Sequence, residues 1–152
     1  NIGICNFPVA LLGDLLSYCN ILPSVLQVEL HPENTQEELL EFCKNNNIHT
    51  SAFSPLGGAS YGEKSILNNN IIKFIAYKHD CTPSQVVLSW ARQRGTSVIV
   101  KSENVNHMKE NLLNIKLGTE EIDLINNLNI NYRYNNPSEF TKKNNGFEPI
   151  YN

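Results

Sequence analysis

No two cysteines in this chain stand close enough to form a C-x-x-C pair. Cys5, Cys19, Cys43 and Cys81 are widely spaced. Such spacing fits no zinc-finger pattern and is expected of reduced, partly buried thiols in a cytoplasmic protein. An excess of positive charge is also missing. Lys and Arg total 12 against 15 Asp and Glu, for a formal net charge of -3, so no basic field points to nucleic acid. No apolar run approaches the ~18 residues that a membrane span needs. A leader-like start is absent as well: Asn1-Ile2-Gly3-Ile4 opens directly in apolar, strand-like residues. The expectation is a start that cuts through an element of a larger protein with no membrane or nucleic-acid partner. What is present is ordinary globular chemistry. Of the 152 residues, 41% are hydrophobic and 18% charged, which is too apolar for disorder and long enough for one core.

Short apolar runs alternate with longer helical patterns. The runs are Ile2-Gly3-Ile4-Cys5, Val25 to Leu30, Ile48 to Phe53, and Val98-Ile99-Val100. Leu11, Leu12, Leu15 and Leu16 repeat at helix spacing after the first, and Leu39, Leu40, Phe42 and Cys43 after the second. Thr35 and Glu38 have capping-box spacing. Two helices are predicted after the third run, one near Ile71 to Lys78. The other opens at Thr82-Pro83, a cap followed by Pro at the first helical position, and runs to about Arg94. One more starts near Val105 and another near Thr119. Asparagine runs at Asn45-Asn46-Asn47 and Asn68-Asn69-Asn70 fall where turns are expected. The organisation predicted is one unit over residues 1–130 and a polar tail over 131–152. Strands alternating with helices define an α/β fold with a parallel sheet of about four strands. Such a sheet fits a small doubly wound domain or half of an eight-stranded barrel.

In parallel α/β proteins the working residues lie just past the C-terminal ends of the strands. Here those ends read Cys5-Asn6-Phe7, Gln27 to Pro32, Phe53 to Gly57, and Lys101-Ser102. The carboxamides of Asn6 and Gln27 both donate and accept, which suits an amide-bearing ligand. The face of Phe53 suits a planar ring. Lys101 before a helix start has the composition of a phosphate site. Each residue also has a plain structural role open to it. Asn6 could cap a helix, Gln27 could bond to a neighbouring side chain, Phe53 could be core, and Lys101 could be a solvated surface group. Glu29 and His31 share a strand face, but two groups make no metal site, and no metal is expected.

The ordered series Ile2 to Phe7, Gln27 to Pro32, Ser51 to Gly57, Thr82 to Val86, Ile99 to Ser102 and Glu110-Asn111 resembles the aldo-keto reductases over residues 1 to about 130. The resemblance implies the C-terminal half of a parallel (β/α)8 TIM barrel that reduces aldehydes and ketones with NADPH. It implies that Asn6 and Gln27 bond the nicotinamide carboxamide and that Phe53 stacks on the nicotinamide, where Tyr is more usual. Ser54 and Leu56 would line the pyrophosphate. Lys101 and Ser102 would meet the phosphate on the adenine ribose, with His107 beside it, and Glu110 and Asn111 would reach the adenine.

Three departures stand out. Cys5 replaces a Ser, Val100 replaces a frequent Pro, and His107 replaces an Arg. A neutral His lacks the Arg fork, so NADH is admitted beside NADPH. The family's catalytic Tyr, Lys, Asp and His lie on earlier strands, so no catalytic residue is assigned within residues 1–152. The expectation is a fragment of an oxidoreductase, inactive by itself, whose full-length form acts on a small-molecule carbonyl substrate. The alternative is a non-catalytic nucleotide-binding or interaction module. In either case a missing N-terminal half-barrel, or self-association, is needed to cover the open sheet edges.

Overall fold

The computed structural model describes residues 1–58 and 66–135. The tail expected beyond residue 131 lies outside the described residues from 136 onward. Four strands form one sheet in the order β1 (Gly3–Cys5), β2 (Val25–Glu29), β3 (His49–Phe53), β4 (Ser97–Ile99). All three pairings are parallel, with Cys5 opposite Gln27, Glu29 opposite Phe53, and Phe53 opposite Ile99. Between and after the strands lie α1 (Val9–Tyr18), α2 (Glu37–Asn45), α3 (Asn70–Lys78), α4 (Pro83–Gln93), α5 (Val105–Leu112) and α6 (Thr119–Asn126).

The strand order is sequential. A doubly wound sheet reverses direction at a switch point, whereas a barrel never does. The order therefore selects the half-barrel over the doubly wound alternative. Right-handed crossovers between sequential strands place the helices on one face of the sheet, and the burial pattern agrees. Leu26, Val28, Thr50 and Ala52 alternate along β2 and β3, and all are buried. They form the helix-facing side. The other side carries Gly3, Cys5, Val25, Gln27, Ser51, Phe53, Ser97 and Ile99 by period two. Gly3, Cys5, Ser97 and Ile99 of this set are exposed.

The core is dominated by α4. Val86, Val87, Leu88, Trp90 and Ala91 are fully buried, among Ile72 and Ile75 of α3 and Ile125 of α6. The predicted cap is present: Gln85 N donates to Thr82 Oγ1 at 3.3 Å and Thr82 N to Gln85 Oε1 at 2.8 Å. Each such cap stabilises by about 1 kcal/mol. Gly95, at φ +86, ends the helix in the left-handed region that favours glycine. Trp90 Nε1 donates to Asn126 Oδ1 at 2.9 Å, and Arg94 covers the Trp90 ring at 4.6 Å while donating to the Thr35 carbonyl at 2.9 Å. The Thr35–Glu38 box is not formed. Gln36 precedes α2 in a left-handed conformation (φ 54) and no side chain caps that helix. Thr35 instead gives its amide to Asn129 Oδ1 at 3.2 Å.

Candidate functional site

The C-terminal ends of the strands form a ledge. Asn6 leaves β1 with φ 57, a left-handed conformation that Asn tolerates, and its amide donates to the Gln27 carbonyl at 2.9 Å. Asn6 does not cap α1; Pro8 holds that position with no side-chain bond. Its Oδ1 is buried and has no hydrogen-bond partner among the described residues. A buried carbonyl oxygen without a donor costs about 1–3 kcal/mol. That cost marks a place where a ligand N–H can bond. Gln27 lies one strand over on the uncovered face, partly exposed. Phe53 ends β3, also partly exposed. The turn that follows has Ser54 at φ 48, and Gly57 N donates to its carbonyl at 2.9 Å. Leu56 sits inside this turn, half-buried.

The next loop holds the second cluster. Lys101 Nζ lies 3.0 Å from Glu103 Oε1, and both side chains are more than four-fifths exposed, at 83% and 85%. Ser102 Oγ accepts from Asn104 N at 3.2 Å. Asn104 caps α5, its Oδ1 accepting from Asn106 N at 2.8 Å and His107 N at 3.4 Å. Two first-turn amides of α5 are thus already satisfied, so an anion there would rely more on Lys101 and Ser102 than on the helix end. His107 is exposed, Glu110 half-buried and Asn111 buried, with the Asn111 carbonyl accepting from Arg92 at 2.6 Å. Asn6, Gln27 and Phe53 therefore come together on adjacent strands, with Ser54 and Leu56 in the next turn. Lys101, Ser102, His107, Glu110 and Asn111 follow on the β4–α5 connection. Glu103 and Asn104 were not anticipated. Asn104 was legible as a cap residue directly before an apolar helical pattern.

At the end of β2 lies a closed pair. Glu29 and His31 are both fully buried, with Nε2 of His31 3.1 Å from Oε1 of Glu29. The Glu29 carboxylate also accepts from Tyr134 N at 2.7 Å and Asn135 N at 3.1 Å. Burial pushes its pKa up. The His31 bond and the two amides push it down, and the net shift is downward. A second carboxylate behaves alike between α3 and α6. Burial raises Glu121, but Lys78 Nζ at 2.7 Å, Gly118 N at 2.9 Å and His79 Nε2 at 2.9 Å bring it to about 2.

Comparison with known proteins matches this architecture. The aldo/keto reductase family model matches residues 1–130. An aldose reductase of Encephalitozoon cuniculi is 39% identical over 140 residues, which is 92% of this chain and 46% of that protein. Aldose reductase B of Dictyostelium discoideum is 41% identical over 144 residues, 93% of this chain and 45% of that protein. A Bombyx mori aldo-keto reductase solved in complex with NADP superposes with a TM-score of 0.85 at 31% identity, covering 92% of this chain and 48% of that one. The four parallel strands and their helices are a half of the (β/α)8 barrel, and the chain belongs to the aldo/keto reductase family. It spans about half the length of the curated relatives it matches.

Proposed function

We propose that the chain supplies the cofactor-gripping half of an NAD(P)H-dependent reductase of aldehydes and ketones. The observation that carries this reading is the buried Oδ1 of Asn6 at the strand-end ledge, which has no partner among the described residues. Gln27 and Phe53 stand on the next two strands of the sheet. Asn6 and Gln27 would bond the two ends of a nicotinamide carboxamide, and the Phe53 ring would support the planar heterocycle. Ser54 and Leu56 would flank the pyrophosphate, and Lys101 and Ser102 would bind the ribose phosphate. His107, Glu110 and Asn111 would bound the adenine. Bound NADPH supplies the hydride. The proton for the carbonyl oxygen requires a placed acid, which we assign to chain outside residues 1–152. Lys101 favours NADPH, while His107 offers no bidentate fork and leaves NADH usable. Residues 1–130 would act as the folded unit, in the cytoplasm, with the tail from 131 helping to shape substrate choice.

Titration of NADPH with this chain, followed by cofactor fluorescence, tests the reading. Saturable binding that weakens in Asn6→Ala is expected. No spectral change at millimolar cofactor would rule it out. A purified chain that oxidised NADPH with a simple aldehyde would instead refute its inactivity alone.

A second reading is favoured by the sheet edges. Among the described residues, strands β1 and β4 each pair on one side only, and Ile2, just before β1, and Ile99, in β4, are 47% and 51% exposed. Parallel edges of this kind are templates for further strands. Four further βα units, from a preceding half-barrel or from a second copy, would close the ring and cover the open face. Sedimentation as a compact monomer at micromolar concentration would argue against closure by a second copy.

A further inference from the structure

The turn after β3 is packed in an unusual way. A Cβ at Gly58 would fall 2.3 Å from Cε1 of Tyr134; one at Gly57 would fall 2.4 Å from Cδ1 of Ile66 and 3.1 Å from Cε2 of the same Tyr134 ring. Real Cβ atoms essentially never come within 3.0 Å of another heavy atom in this way, so the ring rests directly on Gly58 and closely against Gly57, which Ile66 also packs. Tyr134 is itself held on several sides. Its amide donates to the buried Glu29 carboxylate at 2.7 Å, and its hydroxyl bonds the Glu33 carboxylate. Its ring meets His31 at 5.2 Å and the edge of Tyr132 at 4.9 Å. The segment before it is tied down too, with Ile130 N and Tyr132 N donating to the Glu33 carbonyl at 3.2 and 3.0 Å. A rigid aromatic wedge, anchored on residues 29–33, thus stands against the turn that carries Ser54 and Leu56.

We propose that Tyr134 is a positioning residue for the cofactor: braced by the buried Glu29–His31 pair, it holds the Ser54–Gly58 turn in its binding shape. The proposal rests on the cofactor reading above. Its physical basis is preorganisation. Two adjacent glycines have the widest backbone freedom of any residue pair, and Ser54 sits in a left-handed conformation that a free turn would abandon. Without the ring the turn has to be ordered at the moment of binding, and affinity falls by that ordering cost.

The test compares Tyr134→Ala, Tyr134→Phe and Gly58→Ala in the whole protein. NADPH affinity is read by fluorescence, and amide hydrogen exchange at Leu56, Gly57 and Gly58 is read without cofactor. Tyr134→Ala is expected to weaken NADPH by about tenfold and to speed exchange at those three amides. Tyr134→Phe keeps the wedge and is expected to bind within about twofold of the parent, since the ring stays while the hydroxyl bond to Glu33 is lost. Gly58→Ala pushes the ring away and is expected to reproduce Tyr134→Ala. The double variant is expected to be no worse than either single one. If Tyr134→Ala does not fold, Gly58→Ala carries the same comparison. Unchanged affinity and exchange in folded Tyr134→Ala or Gly58→Ala would overturn the brace, as would strict additivity in the double variant. A parent protein that bound no NADPH would overturn the cofactor reading, while the exchange measurement would still decide whether Tyr134 holds the turn.

Discussion

The C-terminal ends of β2 and β4 lie at the same end of one parallel sheet, yet their charges live under opposite physics. At β2, Glu29 is sealed from water, paired with His31 and bonded to two backbone amides. At β4, Lys101 and Glu103 form a pair of similar length in open solvent. A buried carboxylate must be fully satisfied or it is strongly unfavourable, so the first pair fixes structure. An exposed pair is screened and contributes little, so the second leaves its ammonium available to a ligand. Position on the barrel rim alone therefore does not separate architecture from recognition; desolvation does.

The sharpest way to break this contrast is Glu29→Ala. It leaves His31 and the Tyr134 and Asn135 amides without their acceptor, and is expected to lower stability by about 3–5 kcal/mol, read from urea midpoints. Lys101→Met is expected to leave the urea midpoint where it is and to weaken NADPH by about tenfold, with NADH much less affected. Acid sharpens the comparison further. The Glu29 carboxyl is held below its ordinary value of 4.5. Its stabilisation is therefore complete above that value and is lost as pH falls through the lower folded-state value. Glu29→Gln is expected to flatten that part of the stability–pH curve, and Lys101→Met to leave it unchanged. Glu121, at about 2, adds to the same acid leg in both variants. The smallest effect is expected from Glu103→Gln. Removing one carboxylate beside Lys101 should tighten NADPH by about two- to threefold at low salt and by less at high salt. A loss of affinity would instead show that Glu103 orients the lysine.

Much of the fold was legible because local signals were strong. The four strands fall within a residue of the apolar runs, and Thr82 caps α4 with Pro83 in its first turn as predicted, in a box with Gln85 that was not anticipated. The sheet alternative was settled only by strand order, which no local pattern encodes. The Thr35 cap failed because Thr35 is drawn to Asn129, a contact 94 residues away. At the site, residue types at strand ends suggested Asn6, Gln27 and Phe53, but not that the Asn6 oxygen is buried with no partner among the described residues. The Glu29–His31 face was visible from period two. The amides that complete it were not, because Tyr134 and Asn135 lie in a segment whose polar composition reads as tail.

The bond from Tyr134 N to Glu29 joins residues 105 positions apart. Chains are made from the N-terminus onward, at about 5–20 residues per second. The carboxylate at position 29 thus emerges seconds before the amides that satisfy it, and during that interval it has His31 for company and no strap over it. A copy that ends short of Tyr134 never leaves that state. The strap therefore distinguishes finished chains from unfinished ones.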